Sequence, residues 1–513
     1  MSHRLNQGEI MARFIGIRHR VKKTADGEAR PTQLVVSTDT KVLVLELEDE
    51  DAELDFALGR LPTKWRAATL EETKDLPHHH VRRKPKSKDL TYSKNPDDFN
   101  YFIPVTYDGL RSEDVIAMVL GGSGDNFAHA LSRQAEKIGA AVWRIPPSVL
   151  KDCRGDAKKD DDAQLLSRLI ADEPHLFNIT LPRDRDMIAL REAMKARRDA
   201  MQARIACEQR LRQHVIGRAF RAKDGLFPEG NIEAFFDREK ANDTILLALE
   251  AEELRREKDI RQAIGQLDVW QQIFEPIEGC GIMTGGALIA AIQDIRRFWV
   301  QPDQSAIDAL RAEAHELKVE ANFEMDRDKV ADRITTDTTK FQILQMVRSW
   351  KRENGEEAEA LLLDRAIACY QQIHRLKQKA HRKGAAKLRR YCGTFVLPDG
   401  RFPRRRTGSV ANWSGECRQA LFLLGDQMNR RPASEWGLKL RANKVARRVI
   451  HPEPMTITNA AGKSVTRYTN GHIHKQAIWT TLGQLVTYIF NQWTKLELER
   501  QAALTTEPEQ IAV

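Results

Sequence analysis

The first third of the chain alternates short apolar runs with amphipathic segments. Residues 12–17, 33–48 and 100–107 carry Val, Ile, Leu and aromatic residues in short alternating runs, which predicts strands. Residues 124–140 and 160–173 predict helices, and three aspartates at the start of the second suit a helix N-terminus. Strands that alternate with helices indicate an α/β domain with a mixed sheet.

The connections between these elements are predicted to hold little regular structure. Residues 51–75 are predicted as a helix and a loop, and the polar, basic, Pro-containing residues 78–98 as an exposed loop. That loop includes the run His78–His80. Imidazoles are common metal ligands, so the run can be a metal site, but a solvated surface run is the favoured interpretation.

A different periodicity begins at residue 184. Met187, Met194 and Met201 are spaced seven apart within charged sequence, which predicts a long amphipathic helix. A second long helix is predicted from about Asn242 to Phe274. The two helices form either an antiparallel hairpin or the arm of a dimer. We therefore expect a homodimer or higher homo-oligomer that assembles through this coiled-coil arm.

The segment Ile277–Ile292 combines a glycine-rich turn with the start of a helix. Its candidate contacts for a phosphate backbone are Gly279, Gly281, Thr284 and Gly285. Glycines let a backbone approach another surface closely, and a helix that begins after such a turn points free N–H groups towards an anion. The alternative is a tight packing turn within a helical core.

Charge is concentrated in one window of the 513-residue chain, whose formal net charge is +9. Residues 371–450 contain 20 Lys and Arg against 4 acidic residues, together with aromatic residues that can stack on bases. This block favours nucleic acid as the partner over a merely solvated basic face. The candidate contacts in this block and the following helix are Arg401, Arg404, Arg405, Arg406, Arg418, His472, His474 and Lys475.

Two further features of the composition limit the class of protein. The chain has no apolar run of about 18 residues, so we expect no membrane partner and a cytoplasmic, nucleoid-associated protein. The six cysteines include no CxxC pair, which favours reduced thiols over a zinc or disulfide framework. Ser414 is a candidate N-cap, with Glu416 in the first helical turn.

The order of these segments resembles the IS-one-ten class of insertion-sequence transposases, which includes Piv-type invertases and bridge-RNA-guided recombinases. The resemblance rests on IEGCGIMTGGALIAAIQDIRRF at Ile277–Phe298, on Tyr391–Leu424, and on AKKDDDAQLLSRL within residues 141–169. It also extends to the Tas proteins of tandem guide-RNA systems, which share a Nop-like helical domain with that class.

The resemblance implies a RuvC-like N-terminal domain whose four acidic residues bind Mg²⁺, and a serine in the C-terminal domain that attacks DNA. Of the family's paired aspartates, which are four positions apart there and compressed here to Asp160, Asp161 and Asp162, Asp162 before Ala163 aligns most closely. Asp160 and Asp162 are the candidate catalytic and metal-binding acids, and Ser409 or Ser414 is the candidate serine. The sequence departs from the pattern at Arg18 and Gly121, where the family has acidic residues. Displaced acids would be Asp26, Asp39, Asp125 and Asp160.

The resemblance leaves two functions open: a DNA transposase or recombinase that uses a guide RNA, with Mg²⁺ if it is active, or an inactive RNA-guided DNA-binding protein. The expected fold class is α/β plus all-α. The predicted organisation is a RuvC/RNase H-like domain with a degenerate acidic site over residues 1–183, a coiled-coil arm over 184–276, a helical transposase/Nop-like domain over 277–300 and 385–450, a helical insertion over 301–384, C-terminal helices over 451–502 and a disordered tail over 503–513.

Overall fold

The computed structural model divides the chain into two compact units. The first comprises Met1–Pro276 with Cys280–Arg297, and the second Ile277–Gly279 with Phe298–Val513. The residues that the structure describes are 13–21, 29–92, 94–221, 232–335, 338–395, 403, 413–458 and 464–506. The segment KDGLFPEGN at 223–231, whose glycines and proline predict a turn between the two arm helices, lies outside them, and so do residues 507–513 of the predicted tail.

Strands occupy the first unit and one hairpin of the second. They are β1 (Phe14–Arg18), β2 (Thr32–Ser37), β3 (Val42–Leu47), β4 (Leu61–Ala68), β5 (Arg82–Pro85), β6 (Phe99–Asp108), β7 (Val115–Val119), β8 (Ala141–Ile145), β9 (Asn178–Ile179), β10 (Met455–Thr458) and β11 (Ser464–Arg467). The helices are α1 (Glu50–Ala57), α2 (Asp125–Ile138), α3 (Pro147–Arg154), α4 (Asp162–Asp172), α5 (Pro182–Phe220), α6 (Ile232–Asn242), α7 (Thr244–Gly265), α8 (Ile282–Ile292), α9 (Gln304–Glu320), α10 (Phe323–Asp326), α11 (Lys340–Glu353), α12 (Glu357–Tyr391), α13 (Gly415–Arg430), α14 (Glu435–Ile450) and α15 (Asn470–Thr506).

The main sheet of the first unit is mixed, with strand order β3-β2-β1-β7-β8-β9. β1, β2 and β3 form an antiparallel meander, whereas β7 lies parallel to both β1 and β8. β9 closes the sheet as a short antiparallel strand beside β8. The predicted α/β class is therefore confirmed for this unit.

Both faces of this sheet are covered, because alternate side chains of each strand point to opposite sides. Ile15, Ile17 and Met118 are buried on the side that packs against α1 and α2. Ala117 is buried on the other side, with α3 and α4. Gly16 allows α4 to lie directly on β1, since a Cβ there would be 1.9 Å from the carbonyl oxygen of Ala163.

A second sheet has the strand order β4-β6-β5. β6 matches the strand predicted at 100–107, whereas β4 lies within the segment predicted as a helix and a loop at 51–75, and β5 within the exposed loop predicted at 78–98. The prediction was wrong for β5 because its sequence, RRKP, shows no apolar alternation. β5 pairs with β6 through the backbone ladder instead. The cations of β5 lie over aromatic rings, with Arg82 placed 3.9 Å from the centroid of Trp65 and Arg83 placed 5.0 Å from that of Phe99.

The predicted arm is a hairpin within the chain, in which α5 packs against α7 and α6. Ion pairs join the helices in antiparallel order. Arg197 lies 3.0 Å from Glu257, Arg204 lies 2.6 Å from Glu253, and Arg212 lies 2.8 Å from Glu233. The second helix is shorter than predicted, because α7 ends at Gly265 and a π-helical turn follows at Trp270–Phe274.

The described part of the second unit is helical apart from the β10–β11 hairpin. Its core includes Leu317 of α9, Val347 of α11 and Leu363 of α12. The 35-residue α12 runs without interruption across the boundary predicted at 384/385 and packs against α15 farther along. α15 also packs against α13 and α14, and it continues to Thr506, four residues into the predicted tail.

None of the helices among the described residues is long and apolar enough to span a membrane.

Candidate functional site

The carboxyl ends of β1 and β7 lie side by side at one edge of the main sheet. Ile17 pairs with Met118 in parallel register, so Arg18 and the loop after β7 share this edge. The loop turns through Gly121 and Gly122, whose φ angles are +85° and +96°. Such angles favour glycine because a Cβ would clash with the backbone. This is the edge where the resemblance places a cluster of acidic residues.

The candidate carboxylates in the described part of this domain are paired with arginines or exposed. Asp162 accepts hydrogen bonds from Arg154 at 2.6 and 2.8 Å. Asp160 forms an ion pair with Arg30. The structure pairs Asp125, 2% exposed, with Arg144 and Arg191, and with the side-chain amide of Gln293 at 3.1 Å. Asp39 is exposed, and Asp26 lies outside the described residues.

These residues do not fit Mg²⁺. A bound Mg²⁺ needs carboxylate oxygens that face one another around the ion, with water filling the remaining positions. Here Arg18, which carries a positive charge, stands at the first acidic position, and Arg154 occupies both oxygens of Asp162. We therefore derive no metal-dependent step at this edge.

A second polar group lies where α1 meets the short turn His78–His80. Asp55, 1% exposed, accepts at one oxygen from His79 at 3.0 Å and from His80 at 2.5 Å, and at the other from Arg60 at 2.7 Å. Burial raises the pKa of Asp55. The hydrogen bonds from His80 and Arg60 lower this pKa and outweigh burial, so the pKa lies below its usual value. The carboxylate and two imidazoles are a ligand set that suits zinc. His80 is therefore a buried network residue, not part of a solvated run.

The glycines of the segment Ile277–Ile292 have different surroundings. Gly285 and Gly286 lie inside α8, and a Cβ on Gly285 would be 2.3 Å from the Trp270 ring. The Gly285 N–H donates to the carbonyl oxygen of Gly281 at 2.8 Å, so it is used within the helix. Gly285 therefore allows close packing against Trp270. Gly281 is the N-cap of α8 and has open space around it, with Thr284 half-buried in the first turn. Gly279 has a φ of +88°.

The C-terminal half of α12 is a cationic surface. Its exposed members are Arg375, Lys377, Lys379, Arg382, Lys383, Lys387 and Arg390. No acidic residue follows Asp364 in this helix, and no described carboxylate forms an ion pair with any of the seven. Arg375, Lys379, Arg382 and Lys383 share one face, since their spacing matches the helical repeat. We call these seven residues the α12 cationic face.

A groove between α12, α14 and α15 is also lined by cations. Arg389, Arg447 and Trp479 are among its lining residues. The Arg389 guanidinium lies over Gly483, where a Cβ would be 3.1 Å from its Nη2. The Nε of Arg389 is buried without a hydrogen-bond partner among the described residues. Arg447 donates to Thr480 at 3.4 Å. The groove thus presents two guanidinium groups beside an indole.

The predicted contact Arg418 lies between two indoles, 5.1 Å from the Trp413 centroid and 4.7 Å from that of Trp479. Burial lowers the pKa of Arg418, and its Nη1 has no hydrogen-bond partner among the described residues. Ser414 caps α13, as predicted, by accepting from the N–H of Cys417 at 3.2 Å.

The other predicted contacts of this unit are divided between the start of α15 and residues that the structure does not describe. His472 and Lys475 are exposed. His474 is half-buried, and burial and the nearby Lys444 lower its pKa, which favours the neutral imidazole. Ser409, Arg401, Arg404, Arg405 and Arg406 lie outside the described residues.

The charge of residues 371–450 predicted binding to nucleic acid, but the predicted contacts included no residue of the α12 cationic face. The signal was present in the spacing of Arg375, Lys379, Arg382 and Lys383, which marks one face of a helix. The groove residues Arg389 and Arg447 are separated by 58 positions, so only the packing of α12 and α14 on α15 brings them to one groove.

No protein-family model matches the chain, and no curated protein is significantly similar to it. The resemblance to the IS-one-ten class therefore rests on the quoted motifs, and the function is a proposal.

Proposed function

We propose that this protein binds nucleic acid and acts on DNA with a guide RNA, as the IS-one-ten resemblance implies. The α12 cationic face is the observation that carries the proposal. Seven exposed cations on one helix, without carboxylate partners among the described residues, keep their charge available for phosphates. Lys and Arg that neutralise phosphates release counterions, which supplies binding free energy in the presence of dilute salt.

The groove beside that face supports the same proposal. Arg389 and Arg447 would contact phosphate oxygens, and Trp479 lies among them as an aromatic surface. A combination of guanidinium groups and an aromatic ring is typical of sites that follow a single strand, because bases stack on the ring while cations contact the backbone. Guide pairing would then determine which DNA is bound.

We also propose that the sheet domain is RuvC-like. Two features support this: an antiparallel meander followed by parallel strands β7 and β8, and the start of α4 placed directly against β1. In this arrangement Arg18 and Asp162 correspond to the first and last acidic positions of the family.

A second candidate function is RNA-guided DNA binding without strand cleavage, as in the Tas/Nop-type relatives. The observation that favours it is the pairing of Asp162 with Arg154, together with Arg18 at the first acidic position. We place this candidate beside the first because both require the same nucleic-acid surface and differ only in the chemistry at the sheet edge.

Purification of the protein from cells, followed by sequencing of the bound RNA, tests the proposal and separates its two forms. A discrete RNA with two guide loops supports a recombinase, and short repeat-derived guides support the inactive form. The combined variant Lys379→Glu, Arg382→Glu, Lys383→Glu should lose the RNA, whereas Lys329→Glu, an exposed residue of the same unit, should retain it. Equal RNA recovery from all three proteins would contradict the assigned surface.

A further inference from the structure

His19, Ser123 and Glu53 form a hydrogen-bonded series at the sheet edge where the carboxyl ends of β1 and β7 lie side by side. His19 follows β1, Ser123 lies in the loop between β7 and α2, and Glu53 belongs to α1. The His19 Nδ1 lies 2.9 Å from the Ser123 Oγ, and its Nε2 lies 3.3 Å from the Glu53 Oε1. A nucleophile, a base and a group that orients the base, within reach of one another, are the signature of nucleophilic catalysis.

The surroundings of Glu53 determine which nitrogen of His19 carries the proton. Burial raises the pKa of Glu53. Hydrogen bonds from His19 and Thr32 lower this pKa and outweigh burial, so the pKa lies below its usual value. The ionised carboxylate can only accept hydrogen bonds. Nε2 of His19 therefore donates to Glu53, and Nδ1 is left as the acceptor that faces the Ser123 hydroxyl.

Thr32 holds this arrangement in place from the first position of β2. Its hydroxyl accepts from the backbone N–H of Arg20 at 2.8 Å and donates to Glu53 at 2.5 Å. Thr32 is fully buried, and the Glu53 side chain is 7% exposed. Through the Thr32 hydroxyl, the carboxylate that orients His19 is linked both to β2 and to the backbone just after β1.

The loop leaves Ser123 accessible. Ser123 is exposed, and a Cβ on Gly122 would have no atom within 4 Å, so space is open beside it. A Cβ on Gly124 would lie 3.1 Å from the Cβ of His19, which explains why glycine follows the serine. Gly124 is also the N-cap of α2 and offers no side-chain cap, so first-turn N–H groups are available to an oxyanion.

We propose that Ser123, His19 and Glu53 form a serine-nucleophile site for carboxylic esters, separate from nucleic-acid binding. A neutral ester is favoured over a phosphodiester because both neighbouring cations have partners: Arg20 is paired with Glu50 at 2.5 Å and lies 3.5 Å from Glu53, and Arg18 donates to the carbonyl oxygen of Pro31 at 3.4 Å.

The reaction uses only the ester and water. The Ser123 Oγ attacks the carbonyl carbon while its proton passes to Nδ1 of His19. The C–O bond to the leaving alcohol then breaks, and the alkoxide takes the proton from Nδ1. Water, activated in the same way, hydrolyses the acyl-serine to release the acid and restore Ser123. His19 is the catalytic base, and Glu53 and Thr32 are positioning residues.

The test uses full-length protein with a fluorophosphonate reporter and with p-nitrophenyl acetate, and the modified residue is located by mass spectrometry. We expect an adduct on Ser123 that Ser123→Ala abolishes. His19→Gln and Glu53→Gln should slow labelling by roughly 10²–10⁴-fold. The matched control is Ser305→Ala, because Ser305 is an exposed serine that contacts a carboxylate, Asp303, at 3.1 Å without an imidazole.

A merely structural role for the series predicts a different outcome. His19→Gln would then unfold at a lower temperature without changing the rate at which folded protein is labelled. Absence of an adduct on Ser123 in folded wild-type protein, or equal labelling rates for Glu53→Gln and wild type, would overturn the proposal.

Discussion

Arg154 donates one hydrogen bond to each carboxylate oxygen of Asp162, at 2.6 and 2.8 Å. Asp162 is the aspartate that matches the transposase pattern most closely, and α4 begins with it. A two-pronged arginine–carboxylate pair is fixed in geometry and leaves neither oxygen directed at a metal. Asp162 is therefore held in an ion pair at the position where the resemblance places a metal ligand.

This pairing predicts that the protein does not nick DNA in a Mg²⁺-dependent reaction. Supercoiled DNA incubated with the protein, its bound RNA and Mg²⁺ or Mn²⁺ should stay intact on a gel. Asp162→Ala should give the same result and retain its nucleic-acid binding. Nicking that requires metal and is abolished by Asp162→Ala would contradict the second candidate function and support the first.

The Asp55 network predicts a pH-dependent loss of stability. Because the folded-state pKa of Asp55 is lowered, its contribution is fully present above the unfolded pKa of about 4 and is lost as pH falls through the folded value. His80→Ala should lower the free energy of unfolding by about 2 kcal/mol at pH 7, since it removes a buried hydrogen bond to a charged group. Urea unfolding at pH 7 and pH 3 measures both effects.

The exposed neighbour His78 supplies the control for that network. His78→Ala should change the free energy of unfolding by less than about 0.5 kcal/mol, as exposed substitutions do. If His78→Ala and His80→Ala are equally stable, the buried network does not contribute as described.

Substitution of Gly285 and of Gly281 is predicted to affect the free energy of unfolding differently, because only Gly285 packs against Trp270. Gly285→Ala should destabilise the protein by about 1–3 kcal/mol, because the added methyl group would overlap the indole. Gly281→Ser should leave the free energy of unfolding unchanged or slightly higher, since the position is open and serine is a favourable N-cap. Thermal unfolding of both variants decides whether Gly285 serves packing.

The arm is proposed to dimerise through a heptad pair on α7. Leu247 and Leu254 are seven residues apart and are 45% and 61% exposed, so their face remains available to a second copy. The variant Leu247→Glu, Leu254→Glu should be a monomer by light scattering at micromolar concentrations. Ile245→Glu, a control on roughly the opposite side of α7, should remain a dimer. Wild-type protein that is monomeric throughout this range would refute the proposed interface.

The fold class could be predicted because periodicity is a local property. Alternating apolar positions predicted the strands β1, β2 and β6, and the methionine repeat predicted the helix α5. β5 could not be predicted, since its basic residues become a strand only through the ladder with β6 and contacts with aromatic rings. Local patterns do not report such long-range pairing.

The candidate sites were less predictable, because they assemble residues that are distant in the chain. Ser123 and His19 are 104 positions apart and meet only because β1 and β7 are parallel neighbours. The glycine segment contained a clear signal, but the choice between packing and phosphate contact at Gly285 depended on Trp270, which no local pattern places there.

The salt dependence of nucleic-acid binding tests the central claim most directly. Filter binding of the bound RNA and of duplex DNA should give a steep decline of log K with log salt concentration, with a slope of roughly −0.9 for each phosphate neutralised on duplex DNA. Lys379→Glu, Arg382→Glu, Lys383→Glu should weaken binding and make the slope shallower by about three. Lys329→Glu should match wild type. A wild-type slope near zero, or a triple variant with the wild-type slope, would contradict the account.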